Sequence, residues 1–324
     1  MRPYLLKGHE RPLTQVKYNR EGDLLITCAK NLQPCLWLSD NGMRLGTYEG
    51  HNGVIWTCDI NIDSTRLYTA SADQTVRIWE LQTGKELFQF RQQEPCRAVS
   101  LSVGEGLLAF TADAFMGAQS MIHVMKLEQD IEQQSSKSIL SIEAPRGRIT
   151  RVFWSELNRC LVTSHDGGFL RKWDSETGQM LLEEKVHEDA IQDFQLSPDG
   201  SYGVTASLDK TAKLVDLETF QVIKTYKTGR LVQSAAISPI MDHVLLGGGQ
   251  DASSVTTTAS KAGGFEARFF HKIFAEEFGS VRGHFGPINS VAFHPDGKSF
   301  TTGGEDGYVR IHHLDADYFT AKFF

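Results

Sequence analysis

Gly50-His-Asn-Gly-Val-Ile-Trp-Thr-Cys-Asp-Ile60, followed by Arg66-Leu-Tyr-Thr-Ala-Ser-Ala-Asp-Gln-Thr-Val-Arg-Ile-Trp-Glu80, decides the fold. Three runs rich in β-branched and aromatic residues lie in it, 54–60, 66–71 and 75–79, and a fourth, 86–90, follows. Turn residues separate them at Asp63-Ser64, Asp73-Gln74 and Gln82-Thr-Gly84. This texture predicts a four-stranded antiparallel meander.

The unit repeats. Gly8-His9, Gly50-His51 and Gly283-His284 each open such a stretch. His51 precedes Asp73 by 22 residues and Trp79 by 28, and the same offsets join His9 to Asn31 and Trp37, His187 to Asp209 and Val215, and His284 to Asp306 and His312. Aligned first strands start at Leu13, Ile55, Cys96, Ile149, Ile191, Val232 and Ile288, 41 or 42 residues apart except for intervals of 53 and 56. That is seven repeats at the period of a propeller blade, about 40 to 45 residues, with insertions around 117–145 and 250–264.

Single cores usually stop growing near about 250 to 300 residues, so 324 residues in one unit are expected only for a repeat architecture. The expected fold is all-β, a single seven-bladed propeller over residues 1–324. After Ile288 there is room for only three strands through His313, so residues 3–7 are expected to complete the last blade and close the ring. Closure removes a sheet edge that would invite aggregation. Residues 315–324 form a short tail with no role in the repeat.

Composition is that of a chain with a sizeable core: 40% hydrophobic and 23% charged, with 29 Gly and 9 Pro, which excludes disorder and collagen. A net charge of −7 and a pI near 5.9 argue against a protein that coats nucleic acid or an anionic membrane. No apolar run approaches the ~18 residues of a membrane helix, and Met1 to His9 lacks a signal-peptide core, so a soluble, cytoplasmic protein with no membrane partner is expected. The five cysteines, Cys28, Cys35, Cys58, Cys96 and Cys160, show neither C-x-x-C nor metal spacing and are read as reduced core residues.

These marks resemble the WD-repeat family, whose blades pair a Gly-His before the first strand with a Trp-Asp at the end of the third. Trp173-Asp174 matches fully, Trp79-Glu80 and Val215-Asp216 match by half, and Trp37-Leu38 keeps the Trp. The chain further resembles the subunit-i family of eukaryotic translation initiation factor 3. The stretches that carry this are Gly8-His-Glu-Arg-Pro-Leu-Thr-Gln-Val-Lys-Tyr-Asn-Arg-Glu-Gly-Asp-Leu-Leu25, Val255-Thr-Thr-Thr258, Phe265-Glu-Ala-Arg-Phe-Phe-His271, Gly283-His-Phe-Gly-Pro-Ile-Asn-Ser-Val-Ala-Phe293 and Gly304-Glu-Asp-Gly-Tyr-Val-Arg-Ile-His312.

His51, Ser71 and Asp73, with Trp79 nearby, have the residue types of a hydrolase triad. The WD resemblance implies instead a buried hydrogen-bonded chain tying the loop before the first strand to the turn after the second, which pairs groups that burial would otherwise orphan. Blade two alone has every member. Blade five has Val215 in place of Trp, and blade seven has Gly304 and His312 at the Ser and Trp positions, so both are expected to be less tightly locked. Gly247-Gly-Gly249 has no Lys-Ser/Thr after it and is read as a turn rather than a phosphate loop. Adjacent His312 and His313 point to opposite faces of a strand and cannot share a metal. No catalytic residue, metal site or cofactor is expected.

Three groups are candidates for partner contact. Thr14, Trp56, Arg97, Thr150, Gln192, Gln233 and Asn289 begin the innermost strands, and of these Trp56 is either an anchor for a partner peptide at the channel rim or a core residue. Arg146, Arg148 and Arg151 form a local basic group, read as a solvated loop, with direct RNA phosphate contact as the sharper alternative. Asp199 and Asp216 fall in the first and third hairpins of blade five and are ordinary turn residues by themselves. The subunit-i resemblance implies that they help receive the C-terminal helical segment of subunit b.

The same resemblance implies a non-catalytic scaffold of initiation factor 3, with subunits b and g and, through them, the small ribosomal subunit as partners in messenger RNA recruitment and scanning. Two rivals use the same fold: a WD-repeat adaptor in receptor signalling or ubiquitin-ligase substrate recruitment, and an enzyme built on the central pocket. No convergent carboxylates, metal ligands or nucleophile favour the enzyme.

Overall fold

The computed structural model describes residues 3–115, 117–145, 147–250 and 264–320. They form seven four-stranded sheets and one short α-helix, Ala316–Thr320, in the fold class of a seven-bladed β-propeller. First strands begin at Leu13, Ile55, Cys96, Ile149, Ile191, Leu231 and Ile288, the expected residue in six blades and one residue early in the sixth. The chain divides into two compact units, one of 1–27, 35–45 and 192–324, the other of 28–34 and 46–191.

In the first unit Tyr4–Lys7 pairs antiparallel with the last strand, Tyr4 opposite Ile311 and Lys7 opposite Tyr308. The N-terminal strand therefore supplies the fourth strand of the last blade, with Leu6 buried beneath it. Blades six and seven share a core of Ala236, Leu245, Phe269, Ile288, Val291 and Phe300. The tail adds to it. Tyr318 on the terminal helix lies edge-on to Phe269 at 5.7 Å, and its hydroxyl meets Nδ1 of His243 at 2.6 Å. Residues 321–324 lie outside the described residues.

The three glycines expected to form a turn lie within the strand His243–Gly249 instead. Close packing explains the choice: a Cβ at Gly247 would stand 2.7 Å from a methyl of Val291, and one at Gly248 would stand 2.0 Å from the Leu231 carbonyl oxygen. Of the insertion expected at 250–264, residues 251–263 lie outside the described residues.

The second unit holds blades two to four. Tyr68, Ile78 and Phe90 of blade two pack with Leu108, Phe110 and Met125 of blade three, and Ile122 and Val124 of blade three pack with Ile149, Val152 and Leu161 of blade four. The stretch 117–145, expected as an insertion, contains the third and fourth strands of blade three, Met121–Lys126 and Leu140–Glu143. The extra length sits between them, around the short 3₁₀ turn Ile131–Gln133, whose Asp130 caps the Glu132 N–H. All five cysteines are buried and free of disulfides.

A recurring device pins neighbouring blades. The first strand carries a β-bulge at Trp56, at Arg97-Ala98, and at Thr150, Gln233 and Asn289. Bulges disrupt the ladder and leave a backbone group to be paired elsewhere. In the second unit the Val99 N–H donates to Thr57 Oγ1 at 3.1 Å. In the first unit the Val291 N–H donates to Ser234 Oγ at 3.0 Å, and the Val16 N–H to Ser290 Oγ at 3.1 Å.

Candidate interaction surfaces and the buried network beneath them

The network in blade two runs through a residue that sequence reasoning missed. Trp79 donates its indole N–H to Thr69 Oγ1 at 2.8 Å, Thr69 Oγ1 lies 2.7 Å from His51 Nε2, and His51 Nδ1 lies 2.7 Å from Asp73 Oδ2. With Nδ1 donating to the carboxylate, Nε2 accepts the Thr69 hydroxyl, which leaves a lone pair for Trp79. Ser71, expected in that position, instead accepts the Asp73 N–H at 3.2 Å. Thr69 and Ser71 are two residues apart and face the same side of the strand, and register places the former opposite the imidazole. Burial raises the pKa of Asp73, but bonds from His51, Thr75 and the Asn52 N–H outweigh it and hold the carboxyl well below the usual range. Ser71 is fully buried and receives no bond from His51 among those seen, so the triad geometry is absent.

Thr69 has counterparts. In blade one, His9 Nε2 and the Trp37 indole N–H both meet Thr27 Oγ1, at 2.7 and 2.9 Å. Blade four has no Gly-His; His165, on the second strand, takes the place, with Nε2 2.9 Å from Thr163 Oγ1, which also accepts Trp173 at 2.9 Å. In blade seven His284 Nε2 lies 2.8 Å from Thr302 Oγ1, and its Nδ1 lies 3.0 Å from Asp306 and 2.6 Å from the Arg310 guanidinium. Gly304 there is a requirement rather than a gap, because a Cβ would fall 2.3 Å from His284 Nδ1. The legible signal was an 18-residue step from the histidine before the first strand to a threonine, His9 to Thr27, His51 to Thr69, His187 to Thr205 and His284 to Thr302. In blade five Asp209 accepts the Thr211 N–H and hydroxyl, and Ser207 accepts the Asp209 N–H.

Trp56 stands on the bulge of its strand, half-buried. The Arg97 guanidinium lies 4.1 Å from its ring centroid and is itself held by Asp113 at 2.7 to 3.0 Å. Such stacking of a guanidinium on an indole is attractive and orients both groups. The indole Nε1 is buried with no hydrogen-bond partner among the described residues.

Asp199 and Asp216 occupy adjoining hairpins of blade five, joined by the Leu217 N–H donating to the Ser201 carbonyl at 3.0 Å. Asp199 is exposed; bonds from the Ser197 and Ser201 hydroxyls hold its carboxyl below the ordinary range. Asp216 Oδ1 accepts the Glu218 and Thr219 N–H groups and the Thr219 hydroxyl, at 3.0, 2.8 and 2.8 Å. The same Asx turn recurs at Asp174 in blade four. Asp216 therefore both shapes its turn and places a carboxylate at the end of blade five, on the hairpin that adjoins the one carrying Asp199.

Of the basic group, Arg146 lies outside the described residues. Arg148 is about half exposed with its Nε 3.8 Å from Asp166, and Arg151 donates to the Thr150 carbonyl at 3.4 Å. Among the described residues no group of three or more His, Cys, Asp or Glu could hold a metal, and no helix is long and apolar enough to cross a membrane.

A family model described as EIF3I matches residues 1–323. The chain is 48% identical over 324 residues to eukaryotic translation initiation factor 3 subunit I of Bombyx mori, covering 100% of this chain and 98% of that protein. It is 48% identical to the Bos taurus protein and 47% identical to the Homo sapiens protein of the same description, each over 323 residues, covering 100% of this chain and 99% of the relative. With a family match over residues 1–323 and relatives about half identical over their full length, the chain belongs to the eukaryotic translation initiation factor 3 subunit I family.

Proposed function

We propose that the chain acts as a non-catalytic scaffold within translation initiation factor 3, a single propeller in the cytoplasm that presents hairpin ends to subunits b and g. Through them it serves the small ribosomal subunit in messenger RNA recruitment and scanning. The observation that carries this reading is the pair Asp199 and Asp216, two carboxylates on hydrogen-bonded hairpins of one blade. Held by their own turns, they receive a cationic helix with little ordering cost on this side. Full-length identity to subunit I relatives favours this over a signalling or ubiquitin-ligase adaptor. Against catalysis stands the burial of Ser71 and Thr69 inside a saturated network. Trp56 and Arg97 offer a second contact, and Arg148 and Arg151 supply at most an auxiliary touch on RNA phosphates.

The test separates charge from turn. Asp216→Asn keeps an acceptor for Glu218 and Thr219 while removing the charge; Asp216→Lys removes both. Losing one member of an interfacial charge pair weakens binding by about 2 kcal/mol or more. Titration with a C-terminal fragment of subunit b should show Asn about thirtyfold or more weaker and Lys weaker again, at an unchanged melting temperature for Asn. Wild-type affinity for both variants would overturn the docking role.

A further inference from the structure

Blades two, three and four, all in one unit, show solvent-exposed apolar side chains at the tips of their first hairpins: Ile62 at 45% exposure, Val103 at 63% and Leu157 at 84%. In blades one, five and seven the matching turns carry Arg20-Glu21, Asp199 and Asp296, and in blade six Ile240, 54% exposed, stands alone in this position among the described residues of the other unit. The three apolar tips are clasped to one another through polar bonds that leave their side chains outward. The Ile62 N–H donates to Glu105 of the next hairpin. Val103 and Asn158 exchange two bonds, N–H to Oδ1 at 2.8 Å and Nδ2 to carbonyl at 2.7 Å. Glu156, Leu157 and Asn158 all adopt positive φ, at 50°, 52° and 71°. A leucine held in left-handed backbone, its side chain in water, is strained and unburied at once. Folding alone gives no reason for it.

The surroundings specify what would cover it. At this end of the three blades the turn segments 61–66, 80–85, 102–107, 126–132, 155–160 and 174–179 hold nine carboxylates against four bases. Of the carboxylates, Glu128 is paired with Lys126 at 2.9 Å and Glu156 with Lys172, just outside these segments, at 2.7 Å, and Arg66 donates to the Glu128 and Gln129 carbonyls, so the rim keeps an acidic excess. We infer that the hairpin tips of blades two to four form a docking stripe for a basic amphipathic peptide segment of a partner protein, whose apolar side chains cover Ile62, Val103 and Leu157 while its Lys and Arg meet the acidic rim. An apolar centre inside a charged border is the usual anatomy of a protein interface, and the acidic field attracts a cationic partner and repels an acidic one.

The probe is a fluorescein-labelled amphipathic helix of Leu and Lys, with an isomer in which Glu replaces every Lys, titrated into the full chain by anisotropy. The wild type should bind the Lys peptide, with affinity falling as salt rises, and should ignore the Glu peptide. Ile62→Ser with Val103→Ser and Leu157→Asn should weaken binding at least tenfold, while Leu157→Asn alone, which suits left-handed backbone, should not lower the melting temperature. Because Asp199 and Asp216 are themselves proposed to receive a cationic helix, the titrations are repeated in the Asp216→Asn background, where the triple substitution should still weaken binding at least tenfold. Equal affinity of the triple variant, or equal binding of the Glu peptide, would overturn the proposal. So would concentration-dependent dimerisation of the wild type that the triple variant abolishes, since the stripe would then be covered by a second copy of this chain.

Discussion

The indole N–H of Trp79 donates to the hydroxyl of Thr69 at 2.8 Å, and the same hydroxyl lies 2.7 Å from the His51 imidazole. One side chain therefore satisfies two buried polar groups. Thr69→Val keeps the shape and orphans both, each left at a cost of about 1 to 3 kcal/mol. Ser71→Ala removes only a bond to the Asp73 N–H. In urea titrations Thr69→Val is expected to lose about 2 kcal/mol or more and Ser71→Ala less than about 1. Equal losses would return the serine to the network.

The reason Ser71 was favoured in the sequence shows what patterns can and cannot specify. Blade number and strand starts follow from the period, because each blade repeats one supersecondary unit. A strand's pattern gives a face, and Thr69 and Ser71 share it; which of them meets His51 depends on register and on the bulge at Trp56. Gly247 to Gly249 mimic a turn because their constraint, the side chains of Val291 and Phe265, is remote in sequence. Tyr318 was unreadable for the same reason, since His243 and Phe269 are far from it in sequence. Asp199 and Asp216 were placed on adjoining hairpins by the repeat alone.

Removal of residues 1–7 should expose the edge of Tyr308–His313 and leave a void where Leu6 is buried. An unpaired strand edge recruits other chains. The truncated chain is expected to melt several degrees lower and to scatter light on warming. An unchanged melting temperature would mean that this strand contributes nothing to stability.

Acid should destabilise the fold from near neutrality downward. Burial first, and nearby positive groups second, lower the pKa of His165 to about 3, of His243 to about 4 and of His312 to about 3. Below about 6.5 the unfolded chain takes protons that the folded chain refuses, so stability is full above that pH and falls as pH drops toward those values. Burial raises the pKa of Asp306, but the His284 bond and charge, the Phe285 N–H and the Arg310 charge outweigh it and lower it to about 2, which adds a loss that begins near 3.8. Unfolding free energy measured in urea is expected to be smaller at pH 5 than at pH 7.5. Equal values would show that these histidines protonate in place.

His312 offers a gain rather than a loss. It fills the position that Trp79 and Trp173 hold in their blades, stacked on Phe300 at 4.7 Å, with Nδ1 buried and unpartnered among the described residues. The Thr302 hydroxyl, already 2.8 Å from His284 Nε2, matches the hydroxyls that accept the indoles elsewhere. His312→Trp should let an indole N–H reach Thr302, remove the orphaned nitrogen and extend the aromatic stack. A satisfied buried bond in place of an unsatisfied group is worth about 1 kcal/mol or more, against which stands the overpacking of a larger ring, about 1 to 3 kcal/mol where the core does not yield. Both outcomes share one pH signature. The stabilising effect should be larger at pH 5 than at pH 7.5, because the variant also loses one group that protonates on unfolding, so even an overpacked variant shows a shallower acid slope. Denaturant titrations of variant and wild type at both values check this, and an identical acid slope would show that His312 takes no part in the acid response.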